Sequence, residues 1–211
     1  MTDDTTIPAS QRKIVPVTAL ATLQQMIESE HPAVSHFSRL IKESIGTHAS
    51  WMTMVRAFHT IYSMPILSPA EATTTIRNMT PERIEMRLAL VAEEFEELCE
   101  AAGFIVKTHG SKWVFIPTGE SPNIFKVADA LGDLIYVVIG FALEAGIDLH
   151  AVMREIQAAN MTKLGADGLP IYREDGKVLK GPWYHEPILE RIMMIASEYL
   201  FHKADPETDN A

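Results

Sequence analysis

The sequence predicts an all-α fold, a helical bundle interrupted by one or two small β-hairpin inserts. Three observations predict it. Apolar residues recur at steps of three and four through most of the 211 residues. Recognisable helix starts and stops flank those stretches. Only around residues 104–118 and 174–177 does the pattern give way to strand-like runs or a tight-turn pair.

Residues 1–16 are polar and irregular, with Pro8 and Pro16, and read as a loose arm. From Thr18 to about Ile45, Leu23, Ile27, Val34, Phe37, Leu40, Ile41 and Ile45 recur at helical spacing, and Pro32 is expected to split the stretch into two helices. Gly46 is a natural stop. The next helix spans about Ser50 to Tyr62, with Trp51, Met54, Val55, Phe58 and Ile61 along one side, and Pro65 closes it. Thr80-Pro81-Glu82 is a strong helix start, Thr as N-cap and Pro at the first helical position. Ile84, Leu88, Val91, Phe95, Leu98 and Ala102 continue that helix to Gly103. Residues 104–118 place two β-branched and aromatic runs around a Gly-Ser turn, a β-hairpin pattern. A helix from about Asn123 to Ala145 follows, and Asp148 caps another reaching about Thr162. Asp175-Gly176 marks a second hairpin, and Ile188 to His202 reads as a last helix.

Composition bounds the function. A formal net charge of −10 argues against a general nucleic-acid binder, which needs a basic surface. The N-terminus lacks the basic start and apolar run of a signal peptide, and no stretch approaches a membrane span of ~20 apolar residues. The one cysteine, Cys99, leaves no intrachain disulfide and reads as a small buried helix residue. These features point to the cytoplasm.

Two acidic clusters stand out. Glu93, Glu94 and Glu97 share one side of a well-capped helix, which by itself fits a solvated acidic face. Asp129 and Asp133, four apart, lie in a helix that is apolar almost all round and therefore reads as a buried central helix. An ionised Asp there costs several kcal/mol unless paired or metal-bound, and Asp133 has no Lys or Arg within a helical turn. Acids from two helices in an apolar seam suggest a metal site inside a bundle, and all-oxygen ligands suit Mg²⁺ or Mn²⁺.

Cations gather elsewhere. Asn160 and Lys163 share a helix face, and Arg173, Lys177 and Lys180 follow in the second hairpin. Four cations within residues 163–180 contrast with the acidic whole and suit a triphosphate tail. Trp51, Phe58, His59, Trp183 and Tyr184 are candidates to stack on a base, although Trp51 and Phe58 also fit a core.

Glu93-Glu94-x-x-Glu97 on one helix with Asp133 on the next resembles the all-α nucleoside triphosphate pyrophosphohydrolases, including the MazG proteins and phosphoribosyl-ATP pyrophosphohydrolase. Met54-Val55-Arg56-Ala57-Phe58-His59 before Met64-Pro65, and Asn160-Met161-Thr162-Lys163-Leu164-Gly165 continuing to Pro182, resemble a MazG-like branch. The likeness spans roughly residues 50–190. It implies that Glu94, Glu97 and Asp133 hold Mg²⁺ and that Glu93 orients or deprotonates the attacking water. The family's second motif is Glu-x-x-Asp, and three residues before Asp133 stands Ala130. Asp129, on nearly the same face, is the candidate substitute.

The resemblance further implies attack on the α-phosphorus, giving a monophosphate and pyrophosphate, with dUTP the first substrate expected. The alternatives are dCTP, dGTP, phosphoribosyl-ATP, or a non-catalytic nucleotide-binding module. It also implies a homodimer or homotetramer, dimerisation completing the bundle. The expected organisation is an extension over 1–46, a MazG-like catalytic domain over 47–203 and a polar tail over 204–211.

Overall fold

The computed structural model describes residues 19–46, 49–67 and 79–190. The chain divides into two compact units, Met1–Ser50 and Trp51–Ala211. The first contains α1 (Ala19–Glu28), α2 (Pro32–Ser35) and α3 (Ser38–Ser44), three helices where the sequence reading expects two. Pro32 does interrupt the stretch. It opens α2, where a missing N–H costs nothing, and His31 caps it by accepting from the Ala33 N–H at 3.2 Å. A second break falls at His36–Phe37, where Phe37 leaves the helical conformation with φ −111°.

The second unit holds α4 (Trp51–Ile61), α5 (Pro81–Ala101), the hairpin β1 (Phe104–His109) and β2 (Lys112–Pro117), α6 (Ile124–Glu144) and α7 (Leu149–Met161). The three longest helices begin at polar caps, Thr80 and Asp148 as expected and Asn123 where the sequence reading gives only a helix start. The Thr80 hydroxyl accepts from Arg83 N, the Asn123 side chain from Phe125 N and Lys126 N, and Asp148 from Ala151 N. Helix α6 packs against both α5 and α4. Its C-terminal half forms the core with Val55, Ile139 and Leu143, around which Met52, Ile66, Tyr136 and Leu149 pack. Leu143 is only 1% exposed, and burying such a side chain stabilises the fold by about 1.5–3 kcal/mol.

The hairpin is antiparallel, in the register Ile105↔Ile116, Lys107↔Val114 and His109↔Lys112 on one face, Phe104↔Pro117, Val106↔Phe115 and Thr108↔Trp113 on the other. The second face touches α5 at Phe95, whose ring meets Trp113 and Phe115 edge-on at 5.4 and 6.4 Å, and both of these remain more than half exposed. Gly103 makes the turn from α5 into β1. Its φ of +85° suits glycine, and a Cβ there would come within 2.7 Å of the Glu120 carbonyl oxygen, so the returning chain passes directly over it.

Two expectations change here. Helix α6 is not buried all round: beyond Ala130, its N-terminal half leaves Ile124, Phe125, Leu131 and Ile135 exposed, and Asp133 with them. Helices α4 and α5 cover only part of its circumference, so an apolar composition on every side does not mean burial on every side. The Asp175-Gly176 turn forms, but as a single antiparallel bridge, Tyr172↔Val178, rather than a second ladder. The helix expected over Ile188–His202 lies, after residue 190, outside the described residues, as does the arm over 1–16. The protein is thus predominantly α-helical with one small hairpin insert, as its sequence predicts. Among the described residues no single helix is long and apolar enough to cross a membrane.

Candidate active site

Helices α5 and α6 lie against each other, and this contact brings the two acidic clusters together. Glu94 is the pivot. Burial pushes its carboxyl above the usual carboxylate range, and the charges of Asp133, Glu97, Glu93 and Asp129 push it further in the same direction. One of its oxygens, Oε2, is buried with no hydrogen-bond partner among the described residues. The other four acids are exposed. A polar cavity of about 460 Å³ opens beside them, lined by Glu97, Glu100, Ala101, Glu120, Lys126, Asp129 and Ala130. On the side of α6 facing α4 lies a smaller apolar cavity of about 260 Å³, walled by Trp51, Met54, Val55, Gly132, Ile135, Tyr136 and Ile139.

The expectation of Mg²⁺ or Mn²⁺ is corrected. Among the described residues no group of three or more His, Cys, Asp or Glu side chains is placed to hold a metal ion. Glu94, Glu97, Asp129 and Asp133 are electrostatic neighbours without converging on one point. The inference to a metal rested on Asp133 being stranded in a buried helix. Exposure to solvent removes the several kcal/mol that a partner would have to offset, and repulsion between like charges disfavours bringing the acids to ligand distance.

The cationic residues fall into two groups. Lys163 and Lys180 flank the Tyr184 ring, their Nζ atoms 5.8 and 4.3 Å from its centroid, and Lys180 also donates to Glu186 at 3.2 Å. Asn160 is exposed in the last turn of α7, three residues before Lys163. Arg173 instead pairs with Asp175 across its own turn, its Nε donating at 2.9 Å, and Lys177 sits exposed in that turn. Neither Trp51, 64% exposed, nor Phe58, 37% exposed, is a core residue, although Phe58 packs edge-on against Tyr136 at 5.5 Å.

One constellation escapes the sequence reading. Glu144, at the end of α6, is buried and accepts hydrogen bonds from both Arg83 and Arg87 of α5; Arg83 Nε donates to Glu144 Oε2 at 2.7 Å. Burial would raise its carboxyl, but the two guanidiniums outweigh that and hold it below the usual range. His59, read from the sequence as a base contact, is buried here instead. Its Nδ1 donates to the Pro65 carbonyl at 3.0 Å, and its Nε2 accepts from Arg87 Nη2 at 3.3 Å, an arrangement that requires the neutral ring. Burial and the nearby Arg87 lower its pKa, against the Pro65 bond. Two arginines four apart on α5 and an acid ending the most apolar helix were the available signal. This network fixes α5 on α6, and so fixes the spacing of the acids.

Known proteins extend these observations. A crystal structure of a candidate NTP pyrophosphohydrolase from Exiguobacterium sp. 255-15 is similar at 20% identity, covering 95% of this chain and 90% of that one, with a TM-score of 0.32, too low to carry an argument. No curated protein matches the chain by sequence. The sequence model of the family described as phosphoribosyl-ATP pyrophosphohydrolase matches residues 55–160, half of the chain, and spans α5, the hairpin and α6. Such membership supports pyrophosphohydrolase-type chemistry in general and fixes neither substrate nor metal dependence. With the acidic helices inside the matched region, the chain belongs to the phosphoribosyl-ATP pyrophosphohydrolase family.

Proposed function

We propose that this protein hydrolyses a nucleoside triphosphate between the α- and β-phosphates, releasing pyrophosphate and a monophosphate, with dUTP the first substrate to test. The observation that carries the reading is Glu94 surrounded by the charges of Glu93, Glu97, Asp129 and Asp133 at the α5–α6 contact. Five acids at one helix contact, in a chain of this family, are better explained by chemistry than by solubility. Glu93, exposed beside Glu94, orients the attacking water and takes its proton as the water oxygen bonds to the α-phosphorus. Glu94, whose carboxyl is raised by burial and by the neighbouring charges, donates a hydrogen bond to the phosphate chain when protonated. Glu97, Asp129 and Asp133 maintain that rise.

The substrate's own charge needs cations. Lys126 in the wall of the polar cavity supplies one, and Asn160, Lys163, Arg173, Lys177, Lys180 and Tyr184 are the further candidates to hold phosphates. The apolar cavity roofed by exposed Trp51 suits the base, since stacking on an aromatic ring contributes about 1–3 kcal/mol per base. A cytoplasmic homodimer or homotetramer is the form in which we expect it to act.

A second reading, phosphoribosyl-ATP as substrate, is favoured by the description of the matching family. A pyrophosphate-release screen over all canonical dNTPs and NTPs and phosphoribosyl-ATP, with and without added divalent cation, decides between them. Turnover of one substrate, abolished by Glu93→Gln, is the expected result. Nucleotide binding without turnover of any of them would make this a binding module instead.

A further inference from the structure

Helix α6 carries two glycines in its interior, Gly132 and Gly140, and packing accounts for only one of them. A Cβ at Gly140 would press on Arg87 and His59. A Cβ at Gly132 would meet no described atom within 4 Å beyond its own stretch of helix. Glycine inside a helix is destabilising relative to alanine, and the packing around Gly132 does not ask for it. The open space there is part of the apolar cavity of about 260 Å³ between α4 and α6.

That cavity follows one stripe of each helix, Gly132, Ile135, Tyr136 and Ile139 of α6 facing Trp51 and Val55 of α4. Val55 and Ile139 are buried and close one end, while Trp51 and Gly132 are exposed and form the mouth. A drug-sized ligand needs roughly 300–1,000 Å³, so this space takes one flat ring system and leaves the rest of its bearer outside. What stands outside is polar. Asp133 follows Gly132 directly, and Asp129 and Lys126 lie one and two turns back towards the start of α6. The strong hydrogen-bonding groups on the lining side chains are the Tyr136 hydroxyl and the Trp51 indole N–H alone. A pocket of this kind separates ligands by size, about 10–200-fold per methylene-sized difference, and reads the polar edge of a base poorly.

We infer that Gly132 is the specificity-determining residue of the base site: the base lies over its bare backbone beside Trp51 and is selected by size and stacking. The inference rests on the nucleotide reading above and adds its substrate class, triphosphates of any flat base that fits the slot.

Calorimetric titration of the full chain with the four canonical dNTPs, phosphoribosyl-ATP and inorganic tripolyphosphate tests it, under the conditions of the release screen. The wild type should bind dNTPs of equal ring size within about tenfold of one another. Gly132→Ala and Gly132→Leu should weaken nucleotide binding progressively, the second at least about tenfold, and leave tripolyphosphate, which has no base, unaffected. The denaturant midpoint of Gly132→Ala should not fall below the wild type's, because a better helix former enters open space. If Gly132→Leu misfolds, Gly132→Ala and Trp51→Ala decide by the same comparison. Nucleotide affinity that these variants leave unchanged, or one that falls only together with that for tripolyphosphate, would overturn the slot. So would a preference beyond about 200-fold between bases of equal ring size. The expected binding pattern without pyrophosphate release would keep the slot and remove the hydrolytic reading. Release with a kcat/KM indifferent to Gly132→Leu would do the reverse, and a wild type that binds none of these nucleotides would overturn both.

Discussion

Gly140 of α6 lies against Arg87 of α5: a Cβ at Gly140 would stand 3.0 Å from Arg87 Nη1 and 3.0 Å from His59 Nε2. The glycine therefore makes room for the guanidinium that Glu144 holds one turn further along the same helix. Gly140→Ala gains about 1 kcal/mol of helix propensity but crowds a side chain that cannot swing away without breaking its ion pair. Overpacking of this kind costs about 1–3 kcal/mol. A net loss in the denaturant midpoint is expected, and an unchanged or raised midpoint would show that the network yields.

Glu144→Gln should be the most damaging single change in the network. It leaves Arg87, which is 3% exposed, charged and without its carboxylate. Breaking a buried pair from one side costs about 3–5 kcal/mol. Urea unfolding of this variant beside Arg83→Gln separates the partners, since Arg83 is partly exposed and should cost much less. Equal losses would contradict this ranking.

Acid should loosen the same network through His59. The folded ring is held neutral, facing Arg87, Glu144 and Arg83, while in the unfolded chain it takes up a proton near its ordinary value of 6.5. Below that pH the unfolded state binds more protons, so stability falls as pH drops from about 6.5 towards the lowered folded value. Glu144, held below its usual range, adds a further loss lower down, as pH falls through its folded pKa. Urea midpoints between about pH 7.5 and 5.5 should decline more steeply for the wild type than for His59→Gln. Identical slopes would remove His59 as the source.

Glu93→Gln should lower turnover by roughly 10²–10⁴-fold, the range for removing a general base, while leaving the fold intact because the side chain is exposed. Circular dichroism and single-turnover pyrophosphate release on the same sample check both halves. A variant that turns over within a factor of about three of wild type would displace Glu93 from the chemistry.

Much of the fold was legible because its signals are local. Thr80-Pro81, Asn123 and Asp148 cap helices wherever they stand ahead of an apolar repeat, and Gly103 ends one for steric reasons of its own. The breaks at His36–Phe37 and the single bridge at Tyr172 carry no such local signal. The acids were legible as residues but not as an environment. Periodicity says that α6 is apolar all round, yet whether Asp133 is wet depends on which neighbours reach it, and α4 and α5 leave it exposed. Conversely, Arg87 and Glu144 read as ordinary helix charges, 57 residues apart, and only packing makes them partners.

Glu94 offers the test that joins stability to the site. Its folded carboxyl binds a proton more tightly than the unfolded one, because burial and the charges of Asp133, Glu97, Glu93 and Asp129 all disfavour its ionised form. The folded state therefore holds more protons as pH rises from the ordinary value of 4.5 through the raised one, and stability falls across that window. This is opposite in sign to the His59 contribution, so the two are separated by variants rather than by the wild-type curve alone. Glu94→Gln removes the ionisable group and should raise stability at neutral pH while flattening this part of the profile. The same substitution removes the proton that Glu94 is proposed to offer the phosphate chain, so turnover should fall as stability rises. Asp133→Asn should move both readouts through Glu94, lowering its pKa and shifting any alkaline limb of the pH–rate profile to lower pH. A stability profile that Glu94→Gln leaves unchanged would mean that the five acids do not act on one another, and the shared site would dissolve into a solvated helix face.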